Sequence, residues 1–241
     1  TAYEITYGDW SSACALPIYF HPSQQNQPIM STRFLLLLVA VLYSVLTSAQ
    51  PKTLKSPKEF LGYEPGQAFT RHHRVVEYFQ HVDEALETVR IIPYGETYER
   101  RPLLVAVIAT PENMANLEKI REDNLRRTGM MTGMPSSRVG IVWLSYNVHG
   151  NEANSTETSM RTLYALANPE NAAAQAWLKN TVVIIDPCIN PDGRDRYANF
   201  YNQYGNFPAN PDPQSREHRE PWPGGRPNHY LFDLNRDWAW A

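Results

Sequence analysis

The chain has 241 residues, 42% of them hydrophobic and 12% aromatic, which suits one sizeable domain with a core and excludes a disordered polymer. Lys and Arg number 22 against 25 Asp and Glu, a net charge of −3 with the basic residues scattered, so no global basic field favours nucleic acid or an anionic membrane. The two cysteines, Cys14 and Cys188, make neither a metal-binding spacing nor a disulfide framework.

In chain order, the first structured signal is a targeting one. Met30-Ser-Thr-Arg33 supplies a short basic start, Phe34 to Leu46 an apolar run, and Thr47-Ser48-Ala49 small residues where a cut would fall,. The run is shorter than the roughly 20 residues a membrane span needs. Residues 30–49 are therefore expected to be a signal peptide, leaving no stable membrane span after cleavage and placing the protein outside the cytoplasm, secreted or periplasmic. Residues 1–29 then read as an upstream extension that is not native. A buried core helix or an uncleaved anchor is the alternative.

Residues 50–69, rich in Pro, Lys and Gly, read as an extended lead-in. The domain proper is expected over 70–241. Val75, Tyr78, Phe79 and Val82 fall at helical spacing,. Thr88 to Pro93 and Leu103 to Ala109 predict two strands of a hairpin turning near Gly95. Thr110-Pro111-Glu112 starts a helix that runs to about Arg127. A loop over 128–137 leads to a buried strand from Val139 to Tyr146. Asn154-Ser-Thr-Glu157 resembles a capping box, and the same Asn154-Ser155-Thr156 is a glycosylation sequon; the cap is preferred. Met160, Leu163, Tyr164 and Ala167 line one face of the helix that follows. A short helix over Ala172 to Leu178 and a buried strand from Thr181 to Ile185 complete the regular elements. Residues 188–230 read as a long loop, with Cys188 a packed free thiol near the pocket. The fold class is α/β, a mixed and largely parallel sheet flanked by helices.

Three constellations lie at or beyond the carboxyl ends of strands, where α/β folds place ligands. His149-Gly150-Asn151-Glu152 sets an imidazole and a carboxylate three residues apart on a strand-to-helix turn. Zinc hydrolases favour two His and one Glu plus a water, so this pair suits two ligands; a surface His beside a Glu that complements the helix dipole is the competing reading. Asn190-Pro191-Asp192-Gly193 reads by itself as a turn. Gly225-Arg226 and Asp233-Leu-Asn235-Arg236 bring two guanidiniums and an amide that suit an anionic ligand, with a surface salt bridge the plainer use of either arginine. His72, His73 and His81 read as a solvated helix face rather than a metal site, and His218 and His229 as loop residues.

The ordered series H-G-N-E, N-P-D-G, G-R and D-L-N-R resembles the zinc metallocarboxypeptidases of the carboxypeptidase A/D/E-like group, and the resemblance extends back to about residue 70. It implies that His149 and Glu152 bind Zn2+, that Arg226 polarises the scissile carbonyl, and that Asn235 and Arg236 hold the C-terminal carboxylate of a peptide or protein substrate. It implies hydrolysis by a metal-activated water. The family's third ligand, a His, and its general-base Glu follow the Asn-Arg pair, and only Asp237 to Ala241 remain here; the domain is therefore expected to be truncated and inactive as written. Asp237 stands where many relatives carry Asn. Two other readings stay open: an amidase on cell-wall peptides or a deacylase of N-acyl amino acids on the same scaffold, and a non-catalytic domain that binds peptide C-termini.

Overall fold

The computed structural model describes residues 52–239; the expected extension over 1–29, the expected signal over 30–49 and Cys14 lie outside them. The chain divides into two units, Thr1–Gln50 and Pro51–Ala241, and all described residues belong to the second. Among them no helix is long and apolar enough to cross a membrane.

Helix α1 (Pro57–Leu61) interrupts the expected extended lead-in. Ser56 and Glu59 form a reciprocal capping box, and Pro57 takes the first helical position,. Helix α2 (His72–Ala85) carries Val75, Tyr78, Phe79 and Val82 on its buried face. Strands β1 (Val89–Glu96) and β2 (Pro102–Ile108) form the expected antiparallel hairpin, with a register shift between Pro93 and Gly95. The single helix expected after Thr110 is two, α3 (Pro111–Ala115) and α4 (Leu117–Arg127). The break falls at Asn116, which leaves helical dihedrals and turns its amide back to the Glu112 carbonyl.

Strand β3 (Gly140–Ser145), helices α5 (Asn154–Ala167) and α6 (Ala172–Leu178) and strand β4 (Thr181–Asp186) follow. Helix α7 (Pro191–Tyr204) corrects the expectation of a loop from 188 onward. Asn-Pro-Asp-Gly is its start rather than a turn: the Asn190 side chain accepts from the Gly193 amide and Pro191 sits in the first turn,. Two 3-10 turns, Arg216–His218 and Leu234–Arg236, end the described elements.

The sheet order is β1-β2-β4-β3. It is mixed, as expected, but only β3 and β4 run parallel; β1–β2 and β2–β4 are antiparallel. Helices pack on both faces. One core joins α2, α5 and α6 to the sheet through Phe79, Val82, Leu104, Ile108, Met160, Leu163 and Ile185. The other gathers Val107, Met114, Ile120 and Val182 beneath α4. The central strand β2 buries residues on both faces, which explains its unbroken apolar run,. β3 reads the same way yet is an edge strand of the described sheet, and Ile141, Val142 and Trp143 stand exposed among the described residues. The consequence for function is that β3 and β4 end side by side, with Ser145 opposite Asp186.

Two further expectations are corrected by burial. Asn154 does not cap α5; the cap position is Ala153, with no side-chain hydrogen bond. Glu157 instead turns inward and pairs with Arg194 of α7 at 2.7 Å, both side chains almost fully buried. Glu157 also accepts from the Thr70 amide and hydroxyl, and Arg194 donates to the carbonyls of Thr70 and Ala153. Among the three α2 histidines, His72 and His81 are buried rather than solvated. His72 Nε2 lies 2.8 Å from the Pro102 carbonyl, and His81 Nε2 accepts from the Lys55 amide.

The Glu157–Arg194 pair pins α7 to α5, and removing one member strands a buried charge. Glu157→Ala is expected to cost about 3–5 kcal/mol in urea unfolding, and Glu157→Leu with Arg194→Met to recover part of that. Burial holds the His72 and His81 imidazoles below their usual pKa, so below about pH 6.5 the unfolded chain binds more protons than the folded one. Stability is then full above that pH and falls as the pH drops through it; Tm is expected to decline from about pH 7.5 to about pH 5.5, less steeply in His72→Gln.

Candidate metal centre

Beyond Ser145 the chain stays tied to β4: the Tyr146 amide donates to the Asp186 carbonyl, and the Ile189 amide returns to the Tyr146 carbonyl. Asn147 then takes a left-handed conformation, φ 57°, which Asn tolerates better than most residues. This reverses the chain into the turn His149–Glu152, closed by the Glu152 amide donating to the His149 carbonyl.

Three glycines let the motifs meet. A Cβ added to Gly150 would collide with the backbone of Gly193, Arg194 and Gly225, and one on Gly193 would strike the carbonyls of Gly225 and Pro227. A Cβ on Gly225 would press on Tyr197 and Gly193. The motifs H-G-N-E, N-P-D-G and G-R therefore touch backbone to backbone, a contact open only to glycine. Glu220 reinforces it, accepting from the Asn151 amide group and from the Gly225 N–H.

His149 is 6% exposed. Its Nδ1 lies 3.1 Å from Glu152 Oε1 and its Nε2 lies 2.9 Å from Asp233 Oδ1. A carboxylate only accepts, and one stands at each ring nitrogen, so Asp233 and Glu152 are both acceptors for a ring N–H. With the ring proton on Nε2 against Asp233, the Nδ1 lone pair and the Glu152 oxygen are two donor atoms at one point. Nitrogen and oxygen donors at one point, with a carboxylate behind the imidazole, match the donor chemistry of a zinc site. The pair thus fits two ligands. Among the described residues, the one group of three His, Cys, Asp or Glu side chains close enough to share an ion lies elsewhere, at Glu99, Asp192 and His229. Arg101 fills that group, 2.6 Å from Glu99 and 2.7 Å from Asp192, and a guanidinium opposes a second cation there.

Arg226 joins the site. Its Nε and Nη2 lie 3.0 and 2.9 Å from Asp233 Oδ2, and its Nη1 lies 3.4 Å from His149 Nδ1. Burial works against a charged Asp233, but the His149 and Arg226 hydrogen bonds outweigh it and hold the carboxyl below its usual range. Asn235 and Arg236 lie beside this cluster without joining it through their side chains. The Asn235 amide N–H donates to Asp233, its side-chain oxygen accepts from Trp238, and Arg236 is exposed with its guanidinium turned to the Asn235 carbonyl. His218 and His229 bond to the Asn210 carbonyl and to Glu99, away from His149.

The sequence alone placed His149, Glu152 and Arg226 together and passed over Asp233, which ties two of them. The readable signal was a carboxylate directly before the Leu-Asn-Arg run, able to back an imidazole.

A family model described as zinc carboxypeptidase (peptidase M14) matches residues 75–241. Among solved structures, a metallo-carboxypeptidase from Burkholderia cenocepacia is 18% identical with a TM-score of 0.42, covering 69% of this chain and 32% of that one. Carboxypeptidase A from Helicoverpa armigera is 15% identical with a TM-score of 0.41, covering 67% and 32%. Thrombin-activatable fibrinolysis inhibitor is 16% identical with a TM-score of 0.42, covering 59% and 30%. The chain thus spans about a third of the length of these proteins. No curated protein matches it. With its family match covering most of the sequence, the chain belongs to the zinc carboxypeptidase family.

Proposed function

We propose that the protein is a metallocarboxypeptidase that releases C-terminal residues from peptides. The observation that carries this is the 3.1 Å approach of His149 Nδ1 to Glu152 Oε1, with the opposite ring nitrogen held by Asp233. His149 and Glu152 would hold zinc, which when bound lowers the pKa of a water and polarises a carbonyl.

The remaining roles belong to the chain's own groups. Asp233 would hold the ring by its Nε2 proton once zinc takes Nδ1, and it anchors Arg226 through two hydrogen bonds. The third guanidinium nitrogen, Nη1, faces the His149 nitrogen, so Arg226 is placed to donate to the oxygen of a carbonyl bound beside the metal ligands. Arg236 is exposed, and among the described residues no carboxylate pairs with it. A free guanidinium a few residues from the metal ligands' carboxylate partner suits the terminal carboxylate of a peptide, and Asn235 beside it supplies an amide. A targeting signal over 30–49, expected from the sequence, would carry this action outside the cytoplasm.

Zinc titration into the chain is expected to show saturable binding that His149→Ala and Glu152→Ala each abolish or weaken at least about tenfold; equal affinity in all three proteins would remove the metal reading. Hydrolysis of blocked dipeptides is expected to vanish on chelation and return with zinc. Under those conditions Arg226→Ala should lower kcat by about 100- to 1000-fold, and Arg236→Ala should act mainly on KM. Chelator-resistant hydrolysis would contradict the mechanism.

A further inference from the structure

Both proposed ligands sit on one short turn, so whatever shapes that turn sets their spacing. The Glu152 amide donates to the His149 carbonyl, and the Ser155 amide and hydroxyl donate to the Glu152 carbonyl at the turn's far end. The group that spans it is the side chain of Asn147, 3% exposed. Its Nδ2 donates to the His149 carbonyl at 2.8 Å and to the Glu152 carbonyl at 3.1 Å. Its Oδ1 accepts from the Cys188 thiol at 3.2 Å. The orientation of the amide is determined by these partners, because a flipped group would set its oxygen against two carbonyls.

We infer that Asn147 is the positioning residue of the metal centre: one primary amide clamps the backbone carbonyls of both ligand residues and thereby fixes the distance between Nδ1 and Oε1. This rests on the metal reading of His149 and Glu152. The chemistry explains the residue type. Two carbonyls require two N–H bonds from one planar group, and a left-handed backbone at φ 57° favours Asn among side chains that have an amide,. Ser or Thr offers one proton, Asp none, and Gly supplies the backbone shape without the clamp.

The clamp is also tied to the rest of the site. Cys188 is buried, and burial pushes its thiol up to about 12, so it stays a neutral donor that orients the amide. The Asn190 amide N–H donates to the Asn147 carbonyl at 3.2 Å, and the Asn190 side chain donates to the Arg226 carbonyl at 3.1 Å. Two asparagines thus connect the ligand turn with the segment that carries the guanidinium.

The test compares the full chain with Asn147→Gly, which keeps the backbone conformation and removes only the amide. Zinc affinity by chelator competition is expected to fall about 10- to 100-fold. In the metal-free proteins, hydrogen exchange of the Glu152 amide is expected to speed up while the amides of β2 and β4 keep their protection, a pattern that general destabilisation does not give. A folded variant with unchanged zinc affinity and unchanged Glu152 exchange overturns the inference. If the wild-type chain shows no saturable zinc binding, the metal reading falls and the exchange measurement alone decides whether Asn147 holds the turn. If Asn147→Gly does not fold, Cys188→Ala and Cys188→Ser decide by the same two readouts. Loss of affinity and faster exchange in Ala, restored in Ser, uphold the clamp; wild-type behaviour in both overturns it.

Discussion

Three backbone segments share one point in this protein, and a hydrogen in place of a methyl group is what lets them share it. Gly150 lies against Gly193 and Gly225, each from a different motif and a different part of the chain. Interiors are packed too densely to absorb a methyl group between backbones. The His149–Glu152 turn, the start of α7 and the Arg226 segment are consequently fused into one unit, and the side chains they carry inherit their positions from that contact.

The electrostatics follow from the packing. Once the turn after β3 and the segment around 225–235 are adjacent, His149 meets Asp233 and Asp233 meets Arg226. One carboxylate serves an imidazole and a guanidinium together, which leaves Nδ1 facing Glu152 and the Arg226 Nη1. The same adjacency sets α7 with its N-terminus beneath the turn, and the buried Arg194–Glu157 pair locks it there from the other side. The carboxyl ends of β3 and β4 provide the platform, since parallel pairing brings Ser145 and Asp186 level, in keeping with the general placement of ligand sites in α/β sheets.

Much of the scaffold was readable in the sequence because burial leaves a periodic trace. The spacing of Val75, Tyr78, Phe79 and Val82 revealed α2, and the runs 103–109 and 181–185 revealed the inner strands. Helix α7 escaped that logic. Its first turn is Pro-Asp-Gly, residues that signal turns, and its most buried large side chain is an arginine whose partner lies in α5. His72 and His81 escaped for a related reason: a histidine looks solvated until a distant carbonyl or amide is found to satisfy it. Among the site residues, His149, Glu152 and Arg226 carried their chemistry in their type and order. Asp233 and Asn147 act through other residues: Asp233 offered only its place before the Leu-Asn-Arg run, and nothing in the local sequence of Asn147 distinguishes it from a turn former. Arg236 and Asn235 were placed by resemblance, and their side chains do not reach the cluster; only the Asn235 backbone N–H touches Asp233.

Thermal unfolding of Gly150→Ala probes the fused unit most directly, because the substitution adds one methyl group and alters no charge, donor or ligand. Overpacking of this kind costs about 1–3 kcal/mol or more, which at this size lowers Tm by about 2–4 °C for each kcal/mol. A fall of several degrees is the expected result. A Tm equal to that of the wild type would mean that the three motifs do not meet at their glycines, and the site built on that meeting would not stand.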